Sequence, residues 1–365
     1  MTDVGSRIAR LREALADEGV DAAVVSHPAN RGYLSGFIVD DHGPDEPVGM
    51  LVVERDRVRF FTSVVNIDWA AAAIAEGIEA VDWGRPWPRE LGKSLKGAGL
   101  AKIGIEDEAL TVAALAGIVE GLEGAAEIVY LGRMVDLLRS QKDEAELAII
   151  AEAIWITDAA FVAATSGLEA GTTEKQLAAK LDQAMRDLGA DGPGFATIVA
   201  AGPHAARPHH DPNDRPIAEG EPVVIDMGAR LHGYNADLTR TIWVGQATDR
   251  LRAVYTIVLE ANAAVASGLR AGMSGNDADA LARDPIEAAG YGDHFTHSTG
   301  HGLGIKVHEA PSLRKEGEDE LKLGHVVTIE PGIYLPDWGG VRVEDVAVIE
   351  ETGARVLTGA PKMAP

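Results

Sequence analysis

Between residues 3 and about 131, stretches of helical period alternate with short apolar runs. "SRIARLREALADEG" places apolar positions three and four apart, and "DAAVVSH" follows as a strand-like run. "VGMLVVERDRVRFFTS" looks like a hairpin, and "IEAVDW", "AKIGIED" and "AEIVYL" like further strands, with the helical "TVAALAGIVEGLEG" before the last. This alternation predicts an α/β domain. A charged joint from Arg139 to Glu144 then leads into a long amphipathic helix starting near Asp143. The boundary is placed just ahead of it, giving an N-terminal domain over 1–133 and a C-terminal domain over 134–365.

The second part opens with helices. In "TTEKQLAAKLDQAMRDLG", Thr172 and Thr173 with Glu174 and Gln176 resemble a capping box. Strands follow in "ATIVAA", "PVVIDMGARLHGY" and "ADLTRTIWVG", then two helices over about 248–289, then the strands "HVVTIEPGIYL" and "VRVEDVAVI". Runs of helix and runs of antiparallel strand predict an α+β fold.

Four acids interrupt these otherwise buried strands: Asp226, Asp237, Glu330 and Glu344. Asp226 and Asp237 flank "GARLHGYN", which looks like a hairpin turn that would bring them onto neighbouring strands. Glu330 shares a period-2 face with Val326 and Thr328, and Glu344 shares one with Arg342. Four anions meeting in a low-dielectric place need cations, and two divalent ions carry the required charge.

Composition sharpens this picture. The formal charge of -24 disfavours nucleic acid and anionic lipid as partners and favours divalent cations. With no cysteine in the chain, any metal is held by oxygen and imidazole nitrogen, which favours Mn(II), Co(II), Fe(II) or Zn(II). Of 11 histidines, only His27 and His42 precede residue 200, so chemistry is expected in the second domain. The N-terminus lacks the pattern of a signal peptide, and no apolar run approaches the roughly 18 residues of a membrane helix; the expectation is a cytoplasmic protein.

The densest histidine stretch is "HSTGHGLGIKVHE", 297–309. A zincin-type helix is disfavoured there, because Glu does not follow His297 and Gly300, Gly302 and Gly304 oppose helix. A phosphate cradle is disfavoured by the lack of a strand-GxGxxG-helix context.

The order Asp226, Asp237, His301, Glu330, Glu344, set in "IDMG", "ADLTRT", "GHGLGIKVHE", "IEPGIY" and "VRVEDV", resembles the pita-bread dinuclear metallopeptidases, the aminopeptidase P and prolidase group. "NRGYLSGF" resembles, more loosely, a creatinase/prolidase-type N-terminal domain. The resemblance implies an α/β N-terminal domain followed by an α+β pita-bread (creatinase/aminopeptidase-like) catalytic domain. It further implies two divalent ions, Mn(II) first among them, with Asp237 and Glu344 bridging, Asp226 chelating one ion, and His301 and Glu330 completing the other. Glu330 would also handle the proton, His308 would meet the developing oxyanion, His209 would contact substrate, His297 would line the pocket and Arg342 would support the carboxylates. The implied activity is hydrolysis of an Xaa-Pro bond in a peptide or dipeptide by a metal-bridging hydroxide, in a homodimer. Two alternatives stay open: a creatinase-like hydrolase acting on a small non-peptide C–N substrate, and a non-catalytic binding protein of the same fold.

Overall fold

A computed structural model describes residues 3–364. The chain divides into two compact units, Met1–Arg139 and Ser140–Pro365.

The first unit is built on a six-stranded mixed sheet. Its strands are β1 (Ala22–Val25), β2 (Gly49–Glu54), β3 (Val58–Thr62), β4 (Ile78–Asp82), β5 (Lys102–Ile105) and β6 (Glu127–Tyr130), in the order β4-β3-β2-β1-β5-β6. The expected hairpin is the antiparallel β2–β3 pair, whereas β1–β5, β5–β6 and β3–β4 are parallel. Helices are α1 (Val4–Asp17), α2 (Pro28–Ser35), α3 (Ile67–Ala73), α4 (Trp87–Gly97), α5 (Val112–Leu122) and α6 (Met134–Ser140). Val24, Val52, Phe61 and Ile103 on the sheet bury against Leu91, Leu95, Ile118 and Leu122 on α4 and α5. Residues 134–139, which the sequence reading gives to the second domain, lie in this first unit. The reason is packing: Val135 is buried, and the Leu138 carbonyl accepts from the Tyr33 hydroxyl at 3.2 Å, which ties α6 to α2.

The second unit begins with α7 (Glu144–Thr165), whose N-cap Asp143 forms a capping box with Glu146. The expected amphipathic pattern is absent, because apolar residues surround much of this helix. Among the described residues α7 alone has the length and mean hydropathy (1.8) of a membrane span, so the expectation of no such run is corrected. Glu152 and Asp158 interrupt it, and it packs onto a small sheet, as a core helix does. α8 (Glu174–Asp187) follows, with Thr173 and Gln176 as its capping box.

Then come the strands β7 (Gly192–Pro193), β8 (Ile198–Ala201), β9 (Val223–Met227), β10 (Ala229–Leu231), β11 (Tyr234–Asn235) and β12 (Leu238–Ile242). "GARLHGYN" is more than a turn: β10 pairs with β11 on one side and β7 on the other, while β9 pairs with β12 and β8. α9 (Asp249–Gly268) and α10 (Gly275–Ala288) precede β13 (Gly300–Gly302), β14 (Glu309–Leu313), β15 (Val326–Ile329), β16 (Gly332–Leu335), β17 (Gly339–Arg342), β18 (Asp345–Glu350) and β19 (Gly353–Val356). Five of these form the sheet β14-β13-β15-β18-β19, and β16 pairs with β17. Val254, Val258, Val265 and Ile286 of the helices pack with Val327, Ile329, Val341 and Val343 behind these strands, which leaves the opposite faces to build a site.

Candidate metal centre

The five expected ligands arrive from three pairings. In β9–β12, Asp226 stands opposite Thr239. Asp237 lies two residues before Thr239 and so falls on the same face, diagonal to Asp226. Glu344 follows β17, and its backbone N–H donates to the Thr239 carbonyl at 3.0 Å. Glu330 follows β15 and donates its N–H to the Thr299 carbonyl at 2.8 Å; His301, on β13, donates its N–H to the Thr328 hydroxyl at 3.0 Å. These cross-links fix the ligand backbones before any side chain is considered.

Donor atoms of Asp237, His301 and Glu344 converge within 4.8 Å of one another. His301 Nε2 stands 3.3 Å from Glu330 Oε1 and 3.8 Å from Asp237 Oδ2. Its Nδ1 lies 3.1 Å from the Gly302 carbonyl, which sets the tautomer and leaves Nε2 as a free donor pair. Thr239 Oγ1 donates to Glu344 Oε2 at 2.8 Å. Asp226 Oδ1 and Glu344 Oε1, although buried, have no hydrogen-bond partner among the described residues. Orphaned carboxylate oxygens on two acids, gathered with two more acids and an imidazole, are what divalent cations satisfy, so the donor set fits a metal centre.

Electrostatics agree. Burial raises the Asp237 carboxyl well above its usual range, with Glu344, Asp226 and Glu330 adding to it. Burial pushes Glu330 up to about 8 and raises Asp226 and Glu344 as well. The opposite sign holds for the imidazoles: burial pulls His301 down to about 3 and His297 to about 4, and lowers His308. The shifts favour protonated acids and neutral imidazoles in the metal-free site, and bound cations would displace the carboxyl protons.

Around the ligands, Arg342 pairs with Asp226 and donates to Thr239 Oγ1 and the Tyr334 hydroxyl, each at 2.9 Å. Tyr334 reaches His297 Nε2 at 2.8 Å. The His308 ring stands edge-on to His301 with centroids 4.2 Å apart. His209, His297, His308, Arg342 and the five ligands all line one cavity of about 860 Å³.

Sequence reasoning missed two residues, Tyr334 and Glu174. Tyr334, in "IEPGIYL", is separated from His297 by 37 residues and carries no motif of its own. Glu174 and His210 belong to a second group with metal-like convergence, Glu174, His204 and His210. His204 and His210 are hydrogen-bonded to Glu174, which was legible in the sequence only as a helix-cap residue.

Residues 148–351 match the model for metallopeptidase family M24. The chain belongs to that family. Residues 7–141 match the creatinase/prolidase N-terminal domain. An Xaa-Pro dipeptidase of Pyrococcus furiosus is 35% identical over 96% of this chain and 97% of its own. The solved Xaa-Pro dipeptidase from Bacillus anthracis superposes with a TM-score of 0.92 at 36% identity, covering 99% of both chains. The X-Pro aminopeptidase from Thermotoga maritima gives 0.88 at 32%, covering 97% of this chain and 98% of that one. Membership of M24 makes the chain an enzyme of the metallopeptidase class, with the two-domain plan expected from its sequence.

Proposed function

We propose that this M24 enzyme is an exopeptidase that hydrolyses the Xaa-Pro bond of dipeptides or longer peptides. It would use two divalent ions, Mn(II) in preference to Co(II), Zn(II) or Fe(II), held by Asp226, Asp237, His301, Glu330 and Glu344. The observation that carries this reading is the convergence of those five ligands with orphaned carboxylate oxygens in one cavity.

Bound there, two such ions supply Lewis acidity to the scissile carbonyl and acidify a water. Glu330 accepts the proton of the attacking water and delivers it to the leaving proline nitrogen. His308, kept neutral by burial, donates an N–H to the carbonyl oxygen as charge develops on it. His209 contacts the substrate and His297, held by Tyr334, forms the wall beside the scissile bond. Arg342 offsets the negative charge at Asp226.

The proposal includes a homodimer, which rests on the family resemblance, a cytoplasmic place of action, and no nucleic-acid partner, in keeping with the charge of -24. The deciding experiment is a panel of Xaa-Pro dipeptides, Xaa-Pro-Yaa peptides and non-proline peptides, each with the apoprotein reloaded with Mn(II), Co(II), Zn(II) or Fe(II). Cleavage confined to the proline peptides is expected, and the ratio of dipeptide to tripeptide rates separates prolidase from aminopeptidase P action. Inertness toward every proline peptide, with turnover of a small C–N compound, would overturn the reading.

A further inference from the structure

The segment 202–213 supplies Pro208, His209, His210, Asp211 and Pro212 to one wall of the catalytic cavity. After the 3₁₀ turn Gly202–Ala206 it has no regular secondary structure, so side-chain anchors must hold it. One anchor dominates. Glu174, the first residue of α8, is wholly buried. Its Oε1 accepts from the Ala201 N–H at 2.8 Å and from His204 Nδ1 at 2.9 Å. Its Oε2 accepts from His210 Nε2 at 2.9 Å and from the Asn213 N–H at 3.2 Å. Those donors bracket the segment at both ends, and the His204 and His210 rings are drawn to 4.3 Å between centroids.

The same three side chains could in principle converge on a cation. Satisfied acceptors distinguish them from the catalytic centre: none of their side-chain atoms is orphaned, whereas Asp226 and Glu344 each keep a bare oxygen. Burial works against the charged form of Glu174, yet the bonds from Ala201, His210, His204 and Asn213 outweigh it and hold the carboxyl below its usual range. A carboxylate with four donors at the start of a helix is already neutralised locally.

We propose that Glu174 is a positioning residue, an anionic clamp that fixes the 202–213 segment and so holds His209 in place against the substrate. The inference rests on the reading of His209 as a substrate contact. Replacement by Gln keeps the volume but turns an acceptor oxygen into a donor, leaving donors on that side unpaired.

The test is a double-mutant cycle on the metal-loaded enzyme with an Xaa-Pro dipeptide, using Glu174→Gln, His209→Ala and both together. Glu174→Gln is expected to lower kcat/KM on the order of 10- to 100-fold, chiefly through KM, and the double variant to be no slower than His209→Ala alone. Additive losses, or wild-type constants in Glu174→Gln, overturn the proposal. Bound metal per chain is expected to be unchanged in Glu174→Gln; loss of an ion would assign the group to a cation instead. Amide exchange supplies a readout independent of turnover: exchange over 202–213 is expected to rise while α8 stays protected, and unchanged exchange overturns the clamp. Wild-type inactivity on proline peptides with that exchange response intact would count against the Xaa-Pro reading alone. Should Glu174→Gln fail to fold, His204→Phe removes one donor, and the same exchange and coupling to His209 are expected in weaker form.

Discussion

Glu344 and Asp345 are adjacent in the chain and nearly equal in burial, yet they sit in opposite electrostatic worlds. Asp345 is neutralised by the protein itself: Arg240 Nη2 lies 2.9 Å from Oδ1 and Lys362 Nζ 2.5 Å from Oδ2. Glu344, on the other face, has one oxygen bonded to Thr239 and the other bare, among Asp226, Asp237 and Glu330. Alternation explains the division. Thr239 and Arg240 are also adjacent, and they point to the same two sides, the hydroxyl to Glu344 and the guanidinium to Asp345. The lesson is that a buried acid with an oxygen left bare among other acids marks a site, whereas one with both oxygens paired marks structure.

The sharpest way to break this comparison is on the open side. Glu330→Gln should keep its shape but lose proton transfer, lowering kcat by roughly 10²–10⁴-fold in single-turnover assays with saturating metal. On the closed side, Asp345→Asn should leave Arg240 without its anion and destabilise the fold by about 3–5 kcal/mol in denaturant unfolding, while folded molecules keep their metal. Glu344→Gln should do the reverse, removing metal binding measured by titration while leaving the metal-free fold as stable as before, since it relieves repulsion. If both variants behaved alike, the distinction would collapse.

His308→Ala tests the substrate side of the centre, with an expected fall in kcat on the order of 10²-fold and little change in bound metal. The smallest effect concerns pH. Glu330 has a folded value near 8 against an unfolded value of 4.5, so its contribution to metal-free stability is complete below 4.5 and is lost as pH rises through about 8. Asp226, Asp237 and Glu344 are raised in the same direction. His297 and His301 act oppositely, but only below the usual imidazole value of 6.5. Between about pH 6.5 and 8, metal-free protein should therefore lose about 1.4 kcal/mol per pH unit for each proton released, and metal should abolish the slope in chemical denaturation.

The convergence of these acids was legible because Asp226, Asp237, Glu330 and Glu344 each interrupt an otherwise buried strand segment, and period-2 faces say which neighbours they meet. In the first unit the β2–β3 hairpin was legible through the apolar runs of "VGMLVVERDRVRFFTS". Charge balance was not legible. Nothing local to "VRVEDV" says that Asp345 receives Arg240 and Lys362 while Glu344 receives neither, because those partners come from 105 and 17 residues away. Glu174 was hidden in the same manner: its helix-cap context accounts for an acid there, and its donors come from 27 to 39 residues downstream. The extra β10–β11 hairpin was hidden inside a stretch whose glycines and Asn235 read equally well as a turn.

One consequence of the Gly-His-Gly strand β13 concerns heredity rather than chemistry. A Cβ at Gly300 would overlap the Thr328 carbonyl oxygen, and one at Gly302 the Ala310 carbonyl oxygen. Neither glycine has a side chain to offer a metal, yet each tolerates no larger residue, because the strands on either side already occupy the space. In a comprehensive substitution library, these positions would score as intolerant as His301 itself. Mutational sensitivity alone would therefore draw the boundary of the centre too wide, counting the walls of the slot together with the imidazole it admits.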